Sequence, residues 1–210
     1  MYRLFFKRII DIMLSLISLP LFFILWLIVG IAIKLDDGGP IFYCGERLGK
    51  ELKKFKMYKF RSMIVNAPDL RNEDGSTFNS SNDVRLTRVG KIIRELSIDE
   101  VPQIINVLKG DMSLVGPRPS PCGNTHLYSQ EYLKKFDVRP GITGYTQAYF
   151  RNNATIDEKQ EADIYYVNNI SFTLDLKIIF KTIVTVIKRE GLYTNKTTVN
   201  FDEEQEKYNF

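Results

Sequence analysis

The chain has 210 residues, a net charge of +4 and 44% hydrophobic residues, and this length and composition predict one globular domain with an appendage. Its two cysteines, Cys44 and Cys122, allow at most one disulfide, and a cytoplasmic body would keep both reduced. Together with the single histidine, His126, they exclude a zinc cluster of the usual ligand spacing and give no support to a Ser-His-Asp or Cys-His catalytic site.

The first predicted element is a membrane helix. Residues 12–33, "IMLSLISLPLFFILWLIVGIAI", carry no charge, and about 20 apolar residues are enough to cross the hydrocarbon core of a bilayer. The run is too long for the core of a signal peptide and is not followed by a small-residue cleavage site. We therefore predict a retained membrane segment over 1–36, with a buried helix of a soluble core as the alternative.

The flanks of this segment predict its topology. Basic residues cluster on both sides, within 3–8 and within 47–61, and segments rich in Lys and Arg stay on the cytoplasmic side. Pro20, in the middle of the run and preceded by Ser18, is expected to kink the helix. A re-entrant, non-spanning helix that enters and leaves by the same leaflet satisfies both flanks. The alternative is a kinked spanning helix with a weak N-terminal signal.

The remainder of the chain predicts an α+β body. Residues 37–195 are expected to form a small, mostly helical cytoplasmic domain with short strands and amphipathic interfacial helices, followed by a disordered tail over 196–210. In chain order, the patterns favour a strand and turn within 40–50, a half-buried strand over 55–63, a loop over 66–83, a helix over 88–96, a second helix from about Ile98 to Leu108 that ends at Gly110, and an irregular stretch over 111–153.

The string "TLDLKIIFKTIVTVIKRE" predicts an amphipathic helix near the C-terminus. A stripe of lysines, Lys177, Lys181 and Lys188, lies on one side. The opposite side carries Leu176, Ile179, Ile183, Val186 and Ile187. Two interpretations stay open: a core-packed helix with a solvated lysine stripe, or a helix that lies on anionic lipid.

Two adjacent carboxylates open the predicted second helix. Ser97 to Glu100 matches a capping box, but that role neither requires Asp99 nor explains Pro102. A carboxylate in the first turn of a helix stays ionised and can act as a nucleophile, and the free N–H groups nearby favour phosphate. The string "GPRP" fixes Arg118 between two prolines, where its guanidinium can clamp a phosphate. The pattern suggests phosphoryl transfer with a divalent metal.

Several of these strings together resemble the signature of the bacterial sugar transferase family, the small monotopic phosphoglycosyl transferases. The ungapped stretch "LSIDEVPQIINVLKGDMSLVGPRP" is the most specific part of the resemblance. The strings "YKFRSM", "RLTRVGKIIRELSIDE", "VRPGITG" and "YYVNNISFTLDLKII" follow the family's order, and "FKRIIDIMLSLISLPLFFILWLIVGIAIKL" resembles its re-entrant helix. The resemblance extends over about residues 5–190.

The resemblance implies an enzyme that moves a sugar-1-phosphate from a UDP-sugar to undecaprenyl phosphate, with Mg²⁺, at the cytoplasmic face of the bacterial inner membrane. The family's catalytic Asp-Glu pair falls on Asp99 and Glu100. By this resemblance, Asp99 attacks the β-phosphate, releases UMP, carries the phosphosugar and is the ligand of Mg²⁺. Glu100 assists, as the base for the lipid phosphate.

The resemblance also implies supporting residues. Pro20, with Ser18 close before it, falls on the proline that kinks the family's membrane helix. The family's phosphate-binding or substrate-binding positions fall on Lys59, Arg61, Arg94, Arg118 and Arg151.

The sequence departs from the family pattern at two places. Leu19 stands where the family often has a serine before the helix proline. Where the family commonly reads "GITGWAQVNGRN", this chain reads "GITGYTQAYFRN", so that Tyr145 replaces a tryptophan and Tyr149 and Phe150 replace an Asn-Gly pair. These aromatics either reshape a nucleotide or sugar pocket or pack internally, and the identity of the sugar stays open.

Two other classes of function compete with the enzyme. A membrane-bound basic scaffold would grip anionic lipid or a partner protein and would use the Asp99–Glu100 pair only as a helix cap. Nucleic-acid binding has little support beyond net charge, because the basic residues 47–61 lie close to the membrane run, where lipid phosphate is the nearer partner. The sequence leaves a homodimer open.

Overall fold

The computed structural model describes residues 1–72, 78, 80, 83–123, 125–151, 155–188 and 198–199, and it confirms a mixed fold of helices and short strands. The helices are α1 (Lys7–Asp37), α2 (Arg88–Glu95), α3 (Gln103–Lys109), α4 (Gln130–Leu133), α5 (Tyr145–Tyr149), α6 (Ile156–Asn168) and α7 (Phe172–Ile187). The strands are β1 (Phe42–Leu48), β2 (Lys54–Phe60), β3 (Arg71–Asn72), β4 (Ser113–Val115), β5 (Ser120–Pro121), β6 (Gly141–Thr143) and β7 (Thr198–Val199). Short 3₁₀ turns lie at Lys50–Leu52, Ile98–Glu100, Thr125–Leu127 and Lys134–Asp137, and a π-helical turn, Tyr2–Phe6, leads into α1.

The two longest strands form an antiparallel hairpin. They pair from Phe42 opposite Phe60 to Leu48 opposite Lys54, and β5 adds to the other edge of β1. The predicted half-buried strand is thereby confirmed as β2, in which Phe60 is buried and Lys56 is exposed. This strand places Lys59 one residue before its buried end.

The expectation of an irregular stretch over 111–153 is wrong. This part of the chain contains β4, β5, α4, β6 and α5, and β4 and β6 pair in parallel, with Ser113 opposite Gly141 and Val115 opposite Thr143. Strands of three residues are too short to show a hydrophobic period. The prolines and glycines that suggested irregular chain form the turns between these short elements.

Two predicted segments fall partly outside the described residues. Within the predicted loop 66–83, Arg71 and Asn72 form β3, which pairs with Thr198 and Val199 of β7. The rest of the tail 196–210 lies outside the described part of the chain, so the disordered tail stays a prediction.

Helix α1 is one continuous helix of 31 residues with Pro20 inside it. The hydroxyl of Ser18 donates a hydrogen bond to the carbonyl of Ser15, at 2.8 Å, just before the proline. Among the described helices, α1 is the one long and apolar enough to cross a membrane, and only 22% of its most apolar window is buried. The core helix of a soluble protein would be mostly buried, so this exposure favours membrane association.

The second half of α1 contributes to the main core of the domain. Phe22, Val29 and Ile33 are buried and pack with Phe60 of β2 and Ile93 of α2. Burying a large apolar side chain contributes roughly 1.5–3 kcal/mol. The helix is therefore fixed against the domain on one side while its other side stays exposed.

Polar contacts attach the start of α1 to the domain. Lys7 Nζ donates to Asp175 Oδ2 of α7 at 2.6 Å. Arg8 Nη1 donates to the carbonyl of Val107, at 2.7 Å, in the last turn of α3. Lys7 and Arg8 thus bind groups of the protein itself. The number of basic residues beside the membrane run, which was used to predict topology, does not show this.

Polar contacts also attach the end of α1 to the same domain. Asp36 Oδ2 accepts a hydrogen bond from the backbone N–H of Val89, at 3.0 Å, in the first turn of α2. The next residue, Asp37, forms an ion pair with the buried Arg61 at the end of β2. Arg61 Nε also donates to the carbonyl of Pro40, at 2.7 Å, so this side chain fixes the turn that leaves the helix.

Helix α7 exposes the apolar side that one of the two interpretations assigned to the core. Leu176, Ile183 and Ile187 are exposed, and Phe172 and Phe180 extend the same exposed stripe. The side that faces the domain instead buries Asp175, Ile178 and Thr185. The core-packed interpretation is therefore wrong for Leu176, Ile183 and Ile187. It holds for Ile179, which is half-buried against the core cluster that contains Ile178.

We expect Arg61→Ala to lower the thermal stability of the detergent-solubilised protein. Arg61 is buried but Asp37 is exposed, so the cost comes mainly from the carbonyls of Pro40 and Met63, which each lose a charged hydrogen-bond donor worth about 1–3 kcal/mol. Differential scanning fluorimetry should show a clear drop in Tm. Lys56→Ala, an exposed lysine on the same strand, is the matched control and should leave Tm within about 1–2 °C. An unchanged Tm for Arg61→Ala would contradict the structural role.

Candidate active site

The two adjacent carboxylates lie on a 3₁₀ turn and not in the first turn of the predicted helix. Ser97 adopts a left-handed conformation, with φ of 56°, and its side chain caps no helix in the described structure. The turn Ile98–Glu100 follows, and α3 begins only at Gln103, directly after Pro102. The predicted capping box is therefore wrong. A proline at the start of a helix loses no hydrogen bond, which explains Pro102.

Asp99 and Glu100 share one lysine. Lys59 Nζ lies 2.7 Å from Glu100 Oε1 and 3.9 Å from Asp99 Oδ2. Asp99 is buried, with 8% of its surface exposed, whereas 25% of the Glu100 side chain is exposed. Glu100 therefore forms a close ion pair with Lys59. Asp99 is more deeply buried, and its negative charge is less well neutralised by the same lysine.

The environments of the two carboxyl groups separate their pKa values. Burial raises the pKa of Asp99 to about 6, against the lowering effect of Lys59, and the charge of Glu100 adds to the rise. Burial also acts to raise the pKa of Glu100, but Lys59 and Arg118 outweigh it and lower that pKa to about 2. Because the groups interact strongly, they titrate as a pair. At neutral pH both are ionised, and the pair takes up its first proton below about pH 6.

Arg118 reaches this pair from the turn that follows β4. Its Nη2 lies 3.8 Å from Glu100 Oε1, and 55% of its side chain is exposed. Pro117 and Pro119 restrict the backbone on both sides. The guanidinium is therefore held beside the carboxylates while most of its donors remain open to a ligand.

Close approach of three glycines makes this turn possible. A Cβ atom on Gly141 would lie 2.1 Å from the backbone nitrogen of Gly116, and one on Gly144 would lie 2.1 Å from the carbonyl oxygen of Gly116. No side chain fits at such distances. The backbones of the motifs "GPRP" and "GITG" thus pack directly against each other. This contact fixes the position of the Arg118 backbone.

Asn106 is a site-building residue that the sequence analysis missed. It is fully buried on α3, its Nδ2 donates to the carbonyl of Lys56 at 2.7 Å, and its Oδ1 accepts from the N–H of Tyr58 at 3.0 Å. These bonds join α3 to β2 and so bring Lys59 against the turn that carries Asp99. An asparagine inside a helical pattern gives no signal for such a role.

The other predicted residues lie in different places. Arg94, in the last turn of α2, acts by its charge on both carboxyl groups. Arg151 Nη2 donates to Ser97 Oγ at 3.2 Å, two residues before Asp99. Arg61 points away, since its hydrogen bonds go to Asp37 and to backbone carbonyls at the end of α1. The structure therefore brings Lys59, Arg94 and Arg118 to the carboxylates and gives Arg61 a structural position.

The donor set fits a divalent cation of the magnesium type. Among the residues that the structure describes, no group of three or more His, Cys, Asp or Glu side chains comes together. Mg²⁺ commonly binds through one or two carboxylates and completes its shell with water and substrate phosphates. Asp99 has the required hard oxygen ligands, whereas Glu100 Oε1 is already paired with Lys59.

The comparisons with known proteins show which family the chain belongs to. A family model described as bacterial sugar transferase matches residues 2–189. A UDP-N-acetylgalactosamine-undecaprenyl-phosphate N-acetylgalactosaminephosphotransferase of Aeromonas hydrophila is 44% identical over 89% of this chain and 45% of its own length. An undecaprenyl-phosphate galactose phosphotransferase of Salmonella typhimurium is 40% identical over 90% of this chain and 42% of its own length. The chain thus spans less than half the length of these two relatives.

A third relative is as short as this chain. The uncharacterized sugar transferase EpsL of Bacillus subtilis is 41% identical over 91% of this chain and 93% of its own length. The chain belongs to the bacterial sugar transferase family, a family of transferases, as the motifs predicted.

We expect opposite stability changes when the two carboxylates are neutralised one at a time. The folded state raises the pKa of Asp99, so its ionisation destabilises the fold as pH rises through about 6. Asp99→Asn should therefore stabilise the protein at pH 7–8, by on the order of 2 kcal/mol, and the gain should vanish toward pH 4. Thermal unfolding at several pH values with EDTA present measures this.

Glu100→Gln is the matched control with the opposite sign. The folded state lowers the pKa of Glu100, so its charge stabilises the fold at any pH above its unfolded value and loses that effect only as pH falls through about 2. Glu100→Gln should lower Tm at pH 7. A shift of both variants in the same direction would show that the two carboxyl groups do not differ as described.

Proposed function

We propose that the protein transfers a sugar-1-phosphate from a UDP-sugar to undecaprenyl phosphate, as the first membrane step of a surface glycan pathway. The observation that supports this most is the buried Asp99 beside Glu100, with Lys59 and Arg118 at its open side. Such an arrangement suits the attack of a carboxylate on a phosphate. The names of the Aeromonas and Salmonella relatives include undecaprenyl phosphate.

In the proposed first step, Asp99 attacks the β-phosphate of the nucleotide sugar. A bond forms between the carboxylate oxygen and phosphorus, the bond from that phosphorus to the bridging oxygen breaks, and UMP leaves with the electron pair. In the second step an oxygen of undecaprenyl phosphate attacks the same phosphorus, and Asp99 leaves as a free carboxylate. Glu100 is the proposed base for a proton that the lipid phosphate carries. Because Lys59 and Arg118 lower its pKa to about 2 in the free site, this role requires that substrate phosphate draws these cations away from it.

The cations around the pair have a defined task in this scheme. Lys59 and Arg118 neutralise charge on the phosphates as the attacking and leaving oxygens become more negative. Arg118 is suited to hold a phosphate in bidentate fashion, because its guanidinium is exposed beside Glu100. Asp99 would hold Mg²⁺, which supplies additional neutralisation of phosphate charge when bound.

The identity of the sugar in the UDP-sugar donor is a separate question. The named substrates of the Aeromonas and Salmonella relatives are N-acetylgalactosamine and galactose derivatives. In this chain the rings of Tyr145 and Tyr149 stack with centroids 4.5 Å apart, and Tyr145 and Phe150 line an open pocket of about 320 Å³ together with Glu158 and Tyr165. We propose that this aromatic surface contributes to the choice of donor.

The scaffold alternative accounts for fewer of the contacts. It needs the carboxylate pair as a helix cap, but Ser97 does not form the capping box and the turn precedes α3. It also gives no reason to bury Asp99 beside a second carboxylate, where its ionisation costs free energy.

We further propose that α1 is re-entrant and that the protein lies on the cytoplasmic face of the bacterial inner membrane. The start and the end of α1 both contact the same domain, through Lys7 with Asp175 and through Asp37 with Arg61. A spanning helix would place these two ends on opposite sides of the bilayer. The exposed apolar stripe of α7 would then rest on lipid beside the exposed side of α1.

The activity is tested by UMP release from a panel of UDP-sugars by the detergent-solubilised protein, with Mg²⁺ and with or without undecaprenyl phosphate. We expect turnover with one donor only when the lipid is present, and a stoichiometric burst without it. Asp99→Asn should lower turnover by at least about 1,000-fold, because the nucleophile is lost. Lys56→Ala, remote from the carboxylates, is the control. Turnover by Asp99→Asn close to the wild type would remove Asp99 from the nucleophile's role.

The topology is tested separately with protease tags at Met1 and Phe210. In intact cells both tags should be protected from external protease if α1 is re-entrant. Permeabilised cells, in which both tags must be cleaved, are the control. Cleavage of the Met1 tag alone in intact cells would mean that α1 spans the membrane.

A further inference from the structure

We propose that Asp11, in the first turns of the membrane helix, is a positioning residue for Arg118. In this view the start of α1 is a structural part of the active site as well as a membrane attachment. The effect is carried through β4, which contacts Asp11 at one end and leads into the Arg118 turn at the other. The proposal rests on the proposed function only for its kinetic consequence.

Asp11 holds β4 through both carboxylate oxygens. Its Oδ2 accepts a hydrogen bond from Ser113 Oγ at 2.7 Å, and its Oδ1 accepts from the backbone N–H of Leu114 at 3.1 Å. Asp11 is 4% exposed and Ser113 is 2% exposed, so water does not compete for these bonds. The opposite edge of β4 pairs with β6. Asp11 therefore occupies the edge of β4 that a further strand would otherwise occupy.

A second buried contact joins the start of α1 to the same strand. Lys7 donates to Asp175, which also accepts from the hydroxyl of Tyr166 at 2.8 Å. That hydroxyl lies 3.1 Å from the carbonyl oxygen of Val115, the last residue of β4. The membrane helix thus reaches both ends of this three-residue strand through polar groups.

Hydrogen bonds fix the backbone between β4 and Arg118. Gly116 N–H donates to the carbonyl of Thr143 at 2.9 Å, and Gly141 N–H donates to the carbonyl of Pro117 at 3.0 Å. The backbone is fixed at each residue from β4 to the proline, and the proline rings restrict the rest. A displacement of β4 must therefore move Arg118 relative to Glu100.

Membrane attachment alone does not explain an aspartate at this place. A buried carboxylate in an apolar helix is costly unless it is fully hydrogen-bonded, and an apolar side chain would hold the helix in lipid equally well. Ser15, one turn further along, is also buried, yet its hydroxyl has no hydrogen-bond partner among the described residues. Asp11 is the buried polar group on this side of α1 that is tied to the strand leading to the site.

The test is a double-mutant cycle on kcat/KM for the nucleotide sugar. Asp11→Leu removes both acceptors and is expected to lower kcat/KM by about 10-fold or more, since small misplacements of a positioned group have effects of this size. Asp11→Asn keeps one acceptor and should recover part of the loss. Ser15→Ala is the matched control and should behave like the wild type. Tm and membrane recovery of each variant are measured alongside.

Measuring Asp11→Leu both in the wild-type protein and in the Arg118→Ala variant distinguishes a positioning role from a general loss of folding. If Asp11 acts through Arg118, Asp11→Leu should change kcat/KM by less than about 2-fold when Arg118 is already alanine, because residues that act as one unit are not additive. The same fold loss in both backgrounds would overturn the proposal, and so would wild-type kcat/KM for Asp11→Leu.

A second measurement does not need catalysis. Hydrogen–deuterium exchange over residues 113–118 should speed up in Asp11→Leu and not in Ser15→Ala, while α6 keeps its protection. If the wild-type protein transfers no sugar phosphate, the proposed function fails, and exchange still decides whether Asp11 holds the Arg118 turn. Unchanged exchange over 113–118 in Asp11→Leu would overturn the positioning role in that case as well.

Discussion

The ion pair between Lys59 and Glu100 connects the two halves of the site. Lys59 belongs to the hairpin of β1 and β2, and Glu100 belongs to the turn before α3. Their contact at 2.7 Å requires β2 and α3 to pack closely, which the buried amide of Asn106 secures. Once this pair forms, Asp99 is left beside a lysine that is already engaged. Its ionised state is therefore the less stabilised of the two, as the proposed role of a nucleophile requires.

Stability and reactivity oppose each other at this turn. A carboxylate that is ionised but poorly compensated costs folding free energy, and the surrounding structure must offset that cost. The glycine contacts around Gly116 and the buried side of α1 supply rigid support from two directions. The strained left-handed backbone of Ser97 and of Arg151, which contact each other, lies in the same region. Such clustering of costly features is expected where geometry serves chemistry.

The sequence predicted the elements with a strong period or a specific motif. The membrane run, the strand before Arg61 and the two helices around the carboxylates were all visible, as was the family. Tertiary contacts decided the rest. Arg61 looks in sequence like one more basic residue of the site, yet the buried end of β2 turns it toward Asp37. The capping box matched at Ser97, but Pro102 divides the predicted helix and leaves the serine outside it. Asn106 and Asp11 have roles that depend wholly on partners far along the chain.

Those distant partners have a consequence for how the protein is made. The start of α1 leaves the ribosome well before the residues that it binds, since Asp11 pairs with Ser113 across 102 positions and Lys7 with Asp175 across 168. Contacts of such separation form late and slowly. During synthesis, the apolar helix must therefore be bound by the membrane before the partners of Lys7 and Asp11 have been made. The bilayer then acts as a temporary folding partner, and the contact of Lys7 with Asp175 forms only when α7 has been made.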